Sequence, residues 1–292
     1  MLKVKNLNAK YSKFRLNDIS LELPRGYVMG LIGENGAGKT TLIKLIMDLI
    51  RRESGEIEIF GLDNIKNGPE IREKIGFVYD ETPFYLNLKV KEMTSIIKRF
   101  YPDWNDEKYN YLIDLFNIDE SKKIKELSRG MSSKYMVATA LSHNPDLIIL
   151  DEPTSGIDPG SRTEILDLLR EEIEDGNKSV LFSTHITTDL EKIADFITYL
   201  QNGEMIYTGI KDDFIDRYRL IKCEPNKIDD KKLKDFIGYK NTDYGFEGLT
   251  ENMDLIQNLG KEAIIENPSI EEIMSYYKRG ERIEKSKKSD LC

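Results

Sequence analysis

Apolar residues fall into three kinds of pattern along this chain, and each predicts a different element. Alternation at Leu2 to Leu7 and around Ile19 to Leu23, with Glu56 to Phe60 closed by Gly55 and Gly61, predicts short strands of a small antiparallel layer. Tyr27 to Ile32 is continuous rather than alternating and runs into a glycine-rich loop, after which Leu42, Leu45, Ile46 and Leu49 recur at helical spacing. The expected unit is strand, loop, helix. From Val90 the period stays helical through three sets: Val90, Met93, Ile97 and Phe100, then Leu112, Leu115 and Phe116, then Met131, Tyr135, Ala138 and Leu141. Residues 84 to 143 are therefore expected to form a helical block.

Continuous apolar runs return at Leu147 to Leu150 and Val180 to Phe182, as in parallel strands covered on both faces. Between them Ile165, Leu168, Leu169 and Ile173 mark a helix that Gly176 stops. Strand, helix, strand is a crossover unit, so the fold class is α/β, with an antiparallel layer and an inserted helical block. After Thr208 the chain turns to Lys, Asp and Asn with short apolar clusters at Tyr218 to Cys223, Ala263 to Ile265 and Ile270 to Tyr277. This predicts a main domain over 1–208 and a small appended domain over 209–292, ending in a charged, frayed tail from Lys278.

Charge narrows the partners. Lys plus Arg number 43 against 52 Asp plus Glu, a net charge of −9, which is the wrong sign for holding nucleic acid by bulk attraction. Any phosphate must be held locally. Apolar stretches such as Leu42 to Ile50 are broken by Lys44 and Asp48, far short of the roughly 20 residues of a membrane span. The charged, alternating start at Met1 to Lys5 and the presence of only two cysteines, Cys223 and Cys292, predict a reducing, cytoplasmic location.

Local phosphate binding has an obvious place. Gly33-Glu34-Asn35-Gly36-Ala37-Gly38-Lys39-Thr40 fits the phosphate-loop pattern and stands between a buried strand and an amphipathic helix. Gly33, Asn35, Gly36 and Gly38 let backbone N–H groups curl around a phosphate, Lys39 reaches the β- and γ-phosphates, Thr40 can ligate Mg²⁺, and Thr41 follows in the helix. Asp151 ends the second buried strand, placed to hold Mg²⁺, and the adjacent Glu152 can act as general base on water. A competing motif, Asn226-Lys227-Ile228-Asp229, matches the guanine-reading tetrapeptide of GTPases. Its nearest Asp-x-x-Gly, Asp235 to Gly238, follows it instead of preceding it, so GTPase chemistry is not expected.

Leu127-Ser128-Arg129-Gly130-Met131, with Ser128 standing 23 residues before Asp151, resembles the signature motif of ABC-type ATPases, usually Leu-Ser-Gly-Gly-Gln. Ser155-Gly156-Ile157-Asp158 resembles their D-loop, His185 their switch histidine, and Tyr11 the aromatic that stacks on adenine. With the phosphate loop and acidic pair, these motifs keep the family's order across residues 1 to 208. The signature and the Tyr79-Asp80-Glu81 junction look most like ATPases of ABC-2-type exporters, the bacitracin-export and acetoin-utilisation-operon groups.

The resemblance implies a P-loop NTPase core, ATP and Mg²⁺ as ligands, and a sandwich in which Ser128 and Gly130 of one subunit face the phosphate loop of another. It implies a homodimer or heterodimer of ATPase subunits serving an integral-membrane permease at the inner face of the cell membrane. Asp80 stands where the family usually has glutamine, keeping an oxygen for Mg²⁺ but adding negative charge. Arg129 and Met131 replace a glycine and a glutamine, and an arginine there can face phosphate. His143, in a His-Asn-Pro turn, is expected to be a surface or capping residue.

Two alternatives stay open on sequence: a soluble ABC ATPase of translation, repair or cofactor assembly, and a nucleotide sensor with weak hydrolysis. One phosphate loop, and only 88 residues between Lys39 and Ser128 without sustained heptads, disfavour the first. Glu152 and His185 disfavour the second. Nine of the chain's 27 aromatics lie between Phe77 and Tyr111, where uniform spacing would give about three. They form either the core of the helical block or a groove for a partner; in ABC transporters this region receives a coupling helix of the membrane subunit.

Overall fold

The two opening strands run further than their alternation predicts, β1 over Leu2–Tyr11 and β2 over Phe14–Leu23. Their pairing slips between Val4 and Leu7 and again between Leu7 and Ala9, and Asn6 and Asp18 take left-handed φ of 46° and 48°. Asn6 Nδ2 donates to Asp18 Oδ1 at 2.9 Å and Asp18 N to Asn8 Oδ1 at 3.1 Å, which satisfies the groups the slip leaves unpaired. The bulge throws the alternation out of phase and hides half of each strand. With β4 (Ser54–Ile59) and β5 (Leu62–Asp63) they form an antiparallel sheet in the order β2-β1-β4-β5.

The computed structural model describes residues 1–11, 14–229, 231–242, 245–259 and 263–289, with side chains through Gly280. Two units divide the chain, Met1–Gly209 and Ile210–Cys292. In the first, β3 (Val28–Ile32), β6 (Ile75–Val78), β7 (Leu147–Leu150), β8 (Ser179–Thr184), β9 (Phe196–Gln201) and β10 (Glu204–Ile210) make a second sheet, ordered β10-β9-β3-β8-β7-β6. Its pairs from β9 through β6 are parallel. Every residue of β3, β7 and β8 is buried, which is why they read as continuous apolar runs.

Helix α1 (Lys39–Ile46) follows β3, and its Leu42, Leu45 and Ile46 join Leu7, Leu16 and Ile19 of the antiparallel sheet and Leu31 of the parallel one in a single core. Leu49, expected on that helix, lies beyond it: Asp48 turns the chain at φ 55° and leaves Leu49 exposed. Short α2 (Gly68–Glu73) leads into β6. Helices α3 (Val90–Ile97), α4 (Asp106–Leu115) and α5 (Arg129–Leu141) are inserted between β6 and β7. Thr94 Oγ1 joins Tyr109 OH at 2.7 Å and Tyr135 OH at 2.9 Å inside this block. At Gly76 in β6 a Cβ would come within 2.6 Å of Ala140 O, so glycine there lets α5 approach the sheet.

Between β7 and β8 runs α6 (Pro159–Ile173), stopped at Gly176, whose φ is 71° and whose N–H bonds Ile173 O at 2.9 Å; α7 (Thr187–Ile193) follows β8. The α/β core, antiparallel layer and inserted helices thus agree with the sequence. Among the described residues, no helix is long and apolar enough to cross a membrane.

The second unit begins with α8 (Lys211–Asp216) and holds an antiparallel sheet of β11 (Arg219–Cys223), β12 (Gly238–Thr242), β13 (Gly245–Thr250) and β14 (Ala263–Glu266), ordered β12-β13-β11-β14. Ile221, Phe236 and Phe246 form its core with Leu255 and Leu259 of α9 (Met253–Leu259). Of the tail expected to fray from Lys278, the residues through Ser289 instead continue α10 (Ile270–Ser289), and 290–292 lie outside the described residues. Glu, Lys and Arg are good helix formers, and charge alone does not end a helix.

His143 is a second correction. The turn exists, with Asn144 at φ 54°, but the imidazole is buried and stacked on Tyr101 at 3.8 Å between ring centres. Burial pushes its pKa down from 6.5 to about 4. The unfolded chain therefore takes up a proton that the folded chain refuses between those values. The His143 contribution is fully present above pH 6.5, falls as pH drops toward 4, and amounts to about 3 kcal/mol across the window. Urea unfolding at stepped pH should show this slope, and His143→Phe, which keeps the stack, should flatten it; an unchanged slope would contradict the assignment.

Candidate functional site

The loop after β3 closes on α1 through glycines in left-handed backbone conformations. Gly36 has φ 83°, and Gly38, the N-cap of α1, has φ 114° with Leu16 and Phe14 side-chain atoms 2.7 Å from where its Cβ would be. The loop curls over the N-terminus of α1, where backbone N–H groups and the helix dipole favour an anion. It floors a depression of about 510 Å³, bordered by Asn35, Gly36, Gly38, Lys39, Thr40 and Thr41 on one side and by Asp80, Arg129, Glu152, Ser155 and His185 on the other.

Lys39 is buried, its ammonium donating to Gly33 O at 2.8 Å and lying 3.2 Å from Glu152 Oε1. The other Glu152 oxygen meets His185 Nδ1 at 2.7 Å. Glu152 itself sits at φ 51°, unusual for a residue with a Cβ, and its N–H donates to Ser183 Oγ at 2.9 Å. Ser183 Oγ also donates to Asp151 Oδ1 at 2.7 Å. One hydroxyl in β8 thereby fixes both acids at the end of β7. Asp151 is buried behind Thr40, and burial raises its pKa against the hydrogen bonds from Ser183 and Thr40, with the Asp80 and Glu152 charges adding to the rise.

Thr40, Asp151 and Asp80 offer hard oxygen donors at one end of the depression. Among the described residues no three His, Cys, Asp or Glu side chains converge to hold a metal unaided. This donor set fits Mg²⁺, which keeps several waters and completes its shell with phosphate oxygens.

The structure gathers the loop, Asp80, the acidic pair and His185, but not every candidate. Ser128 caps α5 by accepting from Met131 N at 3.2 Å, and Gly130 lies in the first turn of that helix; neither borders the depression. Arg129 between them does, with Nη2 3.3 Å from Asp80 Oδ1 and 3.4 Å from Ser155 Oγ of the same chain. Two of the three departures from the usual motifs, Asp80 and Arg129, thus meet as an ion pair. Tyr11 is 62% exposed at the end of β1 and stays outside the depression, whereas Phe14, which pairs with it across the hairpin, borders the loop. Phe14 and Ser183 carry no motif; a serine directly after the apolar run Val180 to Phe182 is the trace of the second.

The aromatics divide. Tyr109 is core, while Phe77, Tyr79, Phe84, Phe100 and Tyr101 line an apolar groove of about 290 Å³ with Met47 and Leu49. Phe100 and Tyr85 are 71% and 69% exposed. Trp104 is away from the groove, its indole N–H donating to Asp106 Oδ1 at 3.0 Å.

Comparison with known proteins gives one consistent picture. The family model described as ABC transporter matches residues 16–155. The ABC transporter ATP-binding protein YtrB of Bacillus subtilis is 33% identical over 203 residues, which cover 70% of this chain and 69% of that protein. The bacitracin transport ATP-binding protein BcrA of Bacillus licheniformis is 32% identical over 209 residues, covering 70% and 68% respectively. A solved structure described as the ATP-binding subunit of an ABC transporter superposes with a TM-score of 0.68 at 29% identity, over 74% of this chain and 92% of that one.

Proposed function

Because the chain belongs to the ATP-binding proteins of ABC transporters, we propose that it binds and hydrolyses ATP at the phosphate-loop depression to energise a separately encoded membrane permease, as an exporter subunit. The observation that carries this reading is the convergence of Lys39, Glu152 and His185 within hydrogen-bonding or ion-pair distance beside the loop. A sensor has no need of a carboxylate so placed.

The triphosphate would lie along the loop, its β- and γ-phosphates at Lys39. Phosphate at the Lys39 ammonium would replace the Lys39–Glu152 ion pair and leave Glu152 free to accept a proton from the attacking water. As the water oxygen bonds to the γ-phosphorus, the bond to the β-phosphate oxygen breaks, and ADP and phosphate result. His185, held by Glu152 Oε2, would donate to a γ-phosphate oxygen and keep the water in line. Thr40, Asp151 and Asp80 would hold Mg²⁺, which neutralises phosphate charge. Tyr11, at the hairpin end, would stack on adenine.

Ser128 and Gly130 lie outside the depression of their own chain, which supports a two-chain site in which each signature covers the loop of the other subunit, as a homodimer or a heterodimer. The groove beneath Phe100 is the place for the permease, which would seat this acidic chain on the inner face of the membrane; no nucleic acid is required. Phe100→Ala and Tyr85→Ala should each weaken copurification with the integral-membrane partner about tenfold or more while unfolding stability stays within about 0.5 kcal/mol. A loss of stability without loss of complex would return these residues to the core.

A further inference from the structure

We propose that Asp189 is a positioning residue for hydrolysis, its buried carboxylate tying the segment that carries His185 to the segment that carries Glu152. The inference deepens the proposed function and rests on the roles given there to those two residues.

Asp189 lies in α7, four residues after His185, and is 0% exposed. Its Oδ2 accepts from Thr154 Oγ1 at 2.6 Å, and Thr154, also buried, stands two residues after Glu152. Its Oδ1 accepts from Nε of Arg162 in the first turns of α6, whose Nη2 reaches Thr188 Oγ1 at 2.5 Å. Both carboxylate oxygens are therefore occupied, and both donors stand on the segment that leaves β7 after Glu152, so one side chain of α7 holds that segment at two points. A buried carboxylate is costly unless its partners are in place, so this one defines a narrow geometry.

Other contacts set the roots of these segments, and Lys192 Nζ of α7, 2.9 Å from Asp167 Oδ1 of α6, joins them again further from the depression. Ser183 fixes Asp151 and the Glu152 backbone at the ends of β7 and β8. Leu190 seats α7 on β3, where a Cβ at Gly30 would fall 2.0 Å from Leu190 Cδ2. Asp189 adjoins Leu190 in α7, and its carboxylate reaches Thr154. The His185 to Glu152 bond closes the same loop of contacts at the other end. Loosening the brace shifts the imidazole relative to the carboxylate while Lys39 and the phosphate loop stay put.

The test uses the full-length chain and the isosteric pair Thr154→Val, which removes the hydroxyl, and Thr154→Ser, which keeps it, with Asp189→Asn as a second disruption. Steady-state ATP hydrolysis, equilibrium ATP affinity and melting temperature are measured for each. Thr154→Val and Asp189→Asn should lower kcat about tenfold with ATP affinity within about twofold of the parent, and Thr154→Ser should recover most of the rate. In a His185→Ala background, Thr154→Val should cost no more than about twofold, because the geometry it disturbs is already gone. A full tenfold loss there, an equal loss of ATP affinity, or an unchanged kcat in Thr154→Val would each overturn the proposal. Glu152→Gln and His185→Ala separate it from the reading beneath: if they hydrolyse at the parent rate, the site assignment falls and the positioning role with it. If they are slow while Thr154→Val is not, only the positioning role falls.

Discussion

Glu152→Gln lowers ATP turnover by about 100-fold or more while ATP affinity stays within a few-fold of the parent. The amide fills the space of the carboxylate, which is held between Lys39 and His185, and the backbone at φ 51° is unaffected by the change. What is lost is the ability to accept a proton from water. Binding should not suffer, since the substitution also removes the carboxylate that competes with phosphate for the Lys39 ammonium. Phosphate release under saturating Mg-ATP, set beside equilibrium nucleotide binding, checks both halves; turnover near the parent value would remove Glu152 from the role of base.

Lys39→Ala acts on the other quantity. The ammonium is buried and pre-positioned by Gly33 O, in a chain whose net charge of −9 would otherwise repel a triphosphate. Its removal should weaken ATP binding by about 100-fold or more, as a charge-assisted contact to two phosphates is lost from a site with little else that is cationic. Among the described residues Arg129 is the other Lys or Arg bordering the depression, and Asp80 already engages it. Calorimetry reads the loss directly, with far-ultraviolet circular dichroism to confirm folding. Affinity within threefold of the parent would mean that phosphate is held elsewhere.

Much of the first unit was legible because its elements are buried on both faces or carry a motif. Leu147–Leu150 coincides with β7, and the phosphate loop stands where a buried strand meets an amphipathic helix. Elements without a clean period were not legible. The bulged halves of β1 and β2 lose their alternation at Asn6 and Asp18, and β6 is four residues long with a glycine whose reason is the carbonyl of Ala140 in a distant helix. His143 looked like a turn residue because nothing local announces that Tyr101 covers it.

The site divides along the same line. Residue types at fixed spacing pointed to Lys39, Thr40, Asp151 and Glu152 as candidates, and the family resemblance added His185. The contacts behind them, Ser183 on Asp151 and Glu152 and Phe14 against Gly38 of the loop, join segments far apart in sequence and leave no motif. Arg129 is the clearest case: alone it reads as a cation for a phosphate, but three-dimensional proximity gives it Asp80, so that one departure from the usual motif answers the other. Both side chains are partly exposed, and the pair is a modest contact rather than a fixed brace.

The central claim is that hydrolysis occurs between two chains, each completing the other's phosphate loop with its signature. Sedimentation velocity of the Glu152→Gln chain tests it most directly, because this variant binds ATP without clearing it and so accumulates the closed form. A dimer is expected with Mg-ATP and a monomer with Mg-ADP or no nucleotide, and a bulky side chain placed at Gly130 should abolish the dimer. A chain that stays monomeric with Mg-ATP demonstrably bound at saturation would contradict it.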